Sequence, residues 1–461
     1  MPRDSRPFTG SCLSVVSAVV VGLTIVGSAA RPVLASPAGK APKKGWSSTE
    51  SALKKAIVSR QFSTAIALVS ELAQTDDPRG FEIIIENALG GHDYELDRHA
   101  GKMVATARDP RIREVVFKKI AGGAGYKAKI ILLAVVKRWP DDPKALAALH
   151  GALGSRRKEV VFAALRWVRE LRRPDDSLPA LVDALAKWER KAQGRVYFDL
   201  KRTLEELTGH DLPMSADWKN YLKMRKTGKK PKKRRTKGKT VVYKPPTFFS
   251  VAVNSDRVLF VIDVSTSMNM RDTIVEEPVR KKSQEGPRGR TKVVPGNSGK
   301  TAAPRTIRRQ VTRLERVKLQ LIDTVNTLPP HVRFNIVSFS HELGHFEAPN
   351  SLVNATAATR ERAIAWIRNL KANGVTRTDK VIEHSFLSAE IDTIMLLTDG
   401  APKDEQNRLI PPESVLDLAR VNNRFRKTRI NTIGFAQAGG RMKKFVLDLA
   451  KQNDGECVLL E

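Results

Sequence analysis

From about Ser47 to Leu222 apolar residues recur at three- and four-residue spacing, the period of helices with one buried face; Ala52–Leu72 and Lys144–Leu153 are the clearest stretches. From Asp256 the pattern changes. Short segments rich in apolar and β-branched residues are candidate strands at Val258–Ile262, Arg333–Phe339, Thr393–Thr398, Arg429–Phe435 and Cys457–Leu460. Helical stretches lie between them at Thr312–Thr327, Thr359–Lys371, Asp379–Ser388, Glu413–Lys427 and Arg441–Gln452. Alternation of this kind predicts a doubly wound, mostly parallel sheet with helices on both faces.

The helical half carries a repeat. Asp77-Pro78, Asp109-Pro110 and Asp142-Pro143 fall 32 and 33 residues apart, and Arg173-Pro174-Asp175-Asp176 follows at nearly the same interval. An Asp caps a helix N-terminus and a Pro suits the first helical position. A helix start repeated at this period predicts an α-helical solenoid of stacked helix pairs. The stretch resembles HEAT-like repeats, with Trp218 and Tyr221 closing the end of the array. A solenoid of this kind is a binding surface; the plainer alternative is a helical spacer.

Charge then divides the chain. There are 81 Lys and Arg against 49 Asp and Glu, a formal net charge of +32, which favours polyanionic surroundings. Lys223–Lys239 holds eleven Lys or Arg and no acid, and reads as a solvated linker within 223–255 or as a tether for an anionic polymer or membrane surface. Few aromatics interleave with it, so base stacking is not expected and any nucleic-acid contact would be phosphate attraction without sequence reading.

The N-terminus reads as an export signal over residues 1–35. Arg3 and Arg6 precede the apolar stretch Cys12–Val26, and Ser28-Ala29-Ala30 and Val33-Leu34-Ala35 are candidate cleavage points. A retained membrane anchor is the alternative. Residues 36–46 follow as a short linker. Removal of the signal would leave Cys457 as the sole cysteine, so the exported fold is expected to stand on its core without an internal disulfide. An exported chain also meets little ATP, which argues against kinase and ATPase readings.

The candidate chemistry sits at Asp256–Met268. The apolar run Val258–Ile262 ends abruptly in Asp263, Ser265 and Ser267, three hard oxygen ligands at the carboxyl end of a buried strand. Open α/β sheets bind ligands at that edge. Asp263-Val264-Ser265-Thr266-Ser267 resembles the D-x-S-x-S motif of the von Willebrand factor A family. Gly374-Val375-Thr376 and Leu397-Thr398-Asp399-Gly400 resemble that family's Gly-x-Thr and Thr-Asp-Gly motifs, in the family's order. The resemblance covers about 256–461 and implies a Rossmann-like fold with a metal-ion-dependent adhesion site. It implies Ser265, Ser267 and Thr376 as hydroxyl ligands, and Asp263 and Asp399 as ligands directly or through water. The ion would be Mg2+, with Mn2+ or Ca2+ as alternatives, and its last ligand an acidic group of a protein partner.

The sequence departs from that pattern at an insertion of about 269–311, rich in Arg, Lys, Pro, Gly and Ser, which reads as disordered and is expected to hang over the metal site. Arg377, next to Thr376, is expected either to steer an acidic partner or to point to solvent.

A competing motif is His341-Glu342-Leu343-Gly344-His345, which matches the H-E-x-x-H of zinc metalloproteases. That chemistry needs both histidines one turn apart on a helix, whereas here the motif follows a strand and contains a glycine. The leading expectation is therefore an exported binding protein of the adhesion type with no catalytic residues. A zinc protease using His341, Glu342 and His345, and a polyanion-binding surface protein, are the alternatives.

Overall fold

The computed structural model describes residues 45–189, 194–228, 245–276 and 307–461. The expected export signal, residues 229–239 of the basic run and the middle of the insertion lie outside them.

Asp-Pro pairs start helices as their chemistry requires. The Asp77, Asp109 and Asp142 carboxylates each accept the backbone N–H two residues on, at 2.8, 2.8 and 2.9 Å. Pro78, Pro110 and Pro143 open the helices that follow. At the fourth repeat Pro174 opens the helix, but Arg173 takes the capping position and gives no side-chain cap.

Eleven helices result among the described residues: α1 (Trp46–Val58), α2 (Phe62–Gln74), α3 (Pro78–Asn87), α4 (Tyr94–Thr106), α5 (Pro110–Ala121), α6 (Tyr126–Val136), α7 (Pro143–Leu153), α8 (Lys158–Leu171), α9 (Pro174–Trp188), α10 (Arg195–Thr208) and α11 (Ser215–Lys226). Odd-numbered helices stack on one another and even-numbered ones likewise, giving two layers over one continuous apolar core. Trp218 and Tyr221 are buried at the end of the array. The helical period through Ala52–Leu72 is broken at Ser59–Gln61, where Arg60 adopts φ 55°. Those three residues are ordinary helix formers, so nothing in the sequence marks the turn.

The sheet domain begins earlier than 256. β1 (Thr247–Phe248) and β2 (Val251–Ala252) form a hairpin whose Phe248 ring meets Phe260 edge-on at 5.7 Å. The stretch expected as linker at 223–255 is therefore ordered at both ends, because α11 continues to Lys226 and the apolar residues after Pro246 pack into the core.

β3 (Arg257–Asp263) is central. The other strands are β6 (Arg333–Phe339), β7 (Leu343–His345), β8 (Val353–Asn354), β9 (Thr393–Leu397), β10 (Arg429–Phe435) and β11 (Cys457–Leu460). The order is β11-β10-β9-β3-β6-β7, with β8 also on β6; β7 and β8 are antiparallel to β6 and the rest are parallel. Helices α12 (Arg313–Thr327) and α13 (Ala357–Arg368) cover the face bearing Val258, Phe260 and Ile262. Helices α14 (Thr378–Ser385), α15 (Pro412–Asn423) and α16 (Gly440–Gln452) cover the face bearing Leu259 and Val261. The fold is thus a helical solenoid followed by a doubly wound α/β domain.

The two parts are joined at the edge of the sheet where its parallel strands begin. Arg195 of α10 is buried and donates to the carbonyls of Asp392 and Lys427, at 2.6 and 2.5 Å. Its guanidinium lies 3.9 Å from the Phe162 ring centroid. Arg424 reaches Asp97 at 3.3 Å and Arg202 reaches Glu456 at 2.8 Å. One surface of the solenoid is therefore occupied by the chain's own sheet domain.

Candidate functional site

Asp263 ends β3 and is wholly buried. Its Oδ1 accepts the Ser265 N–H at 2.8 Å and its Oδ2 accepts the Thr398 hydroxyl at 2.6 Å. A 3-10 turn, Thr266–Asn269, follows immediately, so Ser265 and Ser267 fold back beside the strand end. Their hydroxyls are 3.1 Å apart, and Ser267 Oγ donates to Asp399 Oδ1 at 2.6 Å.

Thr376 is brought in by a loop fastened to the first. Asn373 N–H donates to the Val264 carbonyl at 2.7 Å, and Thr266 donates to the Gly374 carbonyl through its N–H at 3.0 Å and its hydroxyl at 3.1 Å. Gly374 takes φ 79°, a left-handed conformation suited to glycine. Gly400 leaves room for the Thr376 hydroxyl: a Cβ there would stand 2.6 Å from Thr376 Oγ1. Thr376 thus faces the strand end that carries Asp399. The structure brings all five expected residues, Asp263, Ser265, Ser267, Thr376 and Asp399, to one edge of the sheet.

The electrostatics favour a cation. Burial, with the Asp399 carboxylate adding to it, pushes the Asp263 carboxyl up to about 7, against hydrogen bonds from Ser265 and Thr398. Two buried carboxylates and three hydroxyls make an all-oxygen donor set of the kind hard divalent ions take. No cluster of three His, Cys, Asp or Glu side chains placed to hold a metal occurs among the described residues; at this edge the other oxygens are hydroxyls.

Arg377 differs from expectation, whereas the histidine motif lies off any helix, as its place after a strand implied. Arg377 is buried and bridges Asp379, at 2.9 and 2.8 Å, and Glu405, at 3.0 Å. It braces the Thr376 loop instead of pointing to solvent. His341 lies in the turn after β6 and His345 on β7, so the pair is not one helical turn apart. The His345 ring packs instead against His384, with centroids 4.6 Å apart.

The insertion also differs at its ends. β4 (Arg271–Glu276) and β5 (Ile307–Thr312) pair as an antiparallel ribbon just past the 3-10 turn that carries Ser267 and directly before α12. Pairing across so long a gap in sequence has no local signal. At the ribbon's base stands a residue that motif reasoning missed: Arg313 donates to Asp399 Oδ2 at 2.8 Å.

A human protein, von Willebrand factor A domain-containing protein 3B, is 30% identical to this chain over 146 residues. That stretch is 32% of this chain and 10% of the human protein. Three motifs in order, their meeting at the carboxyl edge of a doubly wound sheet, and this match decide the domain type. The C-terminal half carries a von Willebrand factor A domain.

No family model matches the chain. Among solved structures, a von Willebrand factor type A protein from Catenulispora acidiphila is 17% identical, with 46% of this chain and 40% of that one covered at a TM-score of 0.31. The PilB minor pilin from Streptococcus sanguinis is 18% identical, covering 44% of this chain and 56% of the pilin at 0.29. Proximal thread matrix protein 1 from the mussel byssus is 14% identical, covering 56% and 53% at 0.28. Overlaps at these scores add no weight; the assignment of the von Willebrand A domain rests on the motifs, the sheet and the sequence match.

Proposed function

We propose that the von Willebrand A domain binds one Mg2+ ion between Asp263, Ser265, Ser267, Thr376 and Asp399, and through it an acidic side chain of a protein partner. A domain of this type suits a protein-interaction or adhesion role, and the metal and the carboxylate partner are the finer reading of that role. The observation that carries it is the convergence of two buried carboxylates and three hydroxyls at one sheet edge, with Asp263 held in a state that a divalent cation would relieve. Hydroxyl ligands leave much of the ion's charge uncompensated, so the bound ion would supply a Lewis-acidic position for an incoming carboxylate oxygen. Mn2+ and Ca2+ are the alternative ions.

The role is binding, not catalysis. A zinc-protease reading through His341, Glu342 and His345 loses its support with His341 in a turn and His345 on a strand. The signal-like N-terminus supports export to a cell envelope or beyond it. The basic run Lys223–Lys239 supports a secondary attraction to anionic polymer or membrane surfaces.

The test is partner capture from the envelope fraction of the exporting cell, in Mg2+ and in chelator. Capture that needs Mg2+ and is lost in Asp263→Ala, while the variant keeps its circular dichroism spectrum, supports the reading. Equal capture in chelator contradicts it.

A further inference from the structure

Arg313 stands where the first helix after the metal motif begins, and it is buried at 4% exposure. Its backbone N–H donates to the Met270 carbonyl at 2.8 Å, which fixes the start of α12 beside the motif. Its guanidinium has two acidic neighbours. Nη1 holds Asp399 Oδ2 at 2.8 Å and Nε lies 3.4 Å from Asp272 Oδ1, on the first strand of the inserted ribbon. The Phe435 ring lies 4.7 Å from the guanidinium carbon, so solvent does not screen the charge from that side. Arg316 also approaches Asp272, at 3.4 Å.

Asp399 is therefore shared. Oδ1 faces Ser267, on the side of the metal motif, and Oδ2 faces Arg313, on the side of the insertion. A permanent guanidinium on a metal-ligating carboxylate lowers that carboxylate's pull on any second cation. Asp272 moderates the effect by drawing on the same guanidinium.

We propose that Arg313 is a built-in counter-cation that sets the affinity of the metal site and couples it to the inserted ribbon through Asp272. This rests on the metal-site reading above. Two effects oppose each other. Outer partners that orient a ligand usually support metal binding, but a unit positive charge on a ligating carboxylate repels a divalent ion even at an effective dielectric of about 20. The charge effect wins, so Arg313 weakens the site. An event in the ribbon that draws Asp272 away from Arg313 would throw the full guanidinium charge onto Asp399 and release the metal.

The test is calorimetric titration of the full chain with Mg2+ alone, at neutral pH, for wild type, R313Q, R313K and D272N, each checked by circular dichroism. R313Q is expected to bind Mg2+ roughly tenfold more tightly, R313K to stay near wild type because the charge remains, and D272N to bind roughly threefold more weakly. A merely structural Arg313 would weaken binding in R313Q and R313K alike. R313Q binding no more tightly than wild type overturns the proposal. If R313Q does not fold, D272N decides, and unchanged or tighter binding in it overturns the proposal. Wild type taking up no Mg2+ would overturn the metal-site reading itself.

Discussion

Asp199 on α10 and Arg429 at the start of β10 are paired at 2.5 Å, both buried, across the junction between the helical array and the von Willebrand A domain. Burial alone would raise the Asp199 carboxyl, but Arg429, Arg195 and Arg169 outweigh it and hold it below the usual carboxylate range. Arg429 also donates to the Asp454 carbonyl at 2.9 Å, so one guanidinium ties the helices to two strand starts. Removing one partner of such a pair strands the other charge in a dry site. Asp199→Ala is expected to cost about 3–5 kcal/mol in denaturant unfolding. A loss under ~1 kcal/mol, the range of surface pairs, would show that the junction is wet.

Lys427 sits in the same junction with φ 54°, and its carbonyl accepts from Arg195. Burial first, then Arg166, pushes its ammonium down from 10.5 to about 8, with Asp454 pulling the other way. Between those two values the unfolded chain holds a proton that the folded chain has released. Stability therefore rises with pH through that window. Lys427→Asn keeps a residue that tolerates the left-handed conformation and removes the titration. Thermal melts from pH about 7.5 to about 10 should show wild type gaining on the variant; a constant difference would contradict the shift.

Gly400 offers a way to disturb the candidate site without touching a ligand. A methyl group there would meet Thr376 Oγ1 at 2.6 Å and Thr376 Cβ at 3.4 Å. Gly400→Ala should turn the Thr376 hydroxyl aside and weaken Mg2+ binding by roughly tenfold, with the unfolding midpoint little changed. Unaltered affinity would remove Thr376 from the ligand set.

Much of this was legible in the chain, for physical reasons that also mark the limits. The run Val258–Ile262 is apolar at every position because β3 is buried on both faces, and it ends at Asp263 because the carboxyl edge of the sheet is where polar atoms can gather. The capped Asp-Pro starts are local chemistry and repeat visibly. The hairpin β1–β2 was hidden by its neighbour, the basic run, whose composition dominates the stretch. The β4–β5 ribbon pairs residues 31 to 41 positions apart, and Arg313 meets Asp399 only after the sheet has formed. Such contacts belong to topology, and no spacing in one sequence announces them. The junction between the two halves is of the same kind: Asp199 and Arg195 look like a solvated helix face until the sheet domain covers them.

Asp109 tests the repeat directly. It caps α5 by accepting from Arg111 N–H at 2.8 Å, and it also pairs with that guanidinium at 2.6 Å. Asp109→Ala should cost about 1 kcal/mol, mostly through the cap, since Arg111 is exposed and its ion pair is screened. Asp109→Asn keeps an accepting oxygen and should recover most of the loss. Equal losses in both variants would shift the credit to the ion pair.

On the reading proposed above, Asp263, Ser265, Ser267, Thr376 and Asp399 form one divalent-cation site. Titration of the full chain with Mg2+ tests it most directly. Wild type is expected to bind one ion per chain and a folded Asp263→Ala protein none; binding that survives this substitution, or wild-type protein that takes up no Mg2+, would rule the site out.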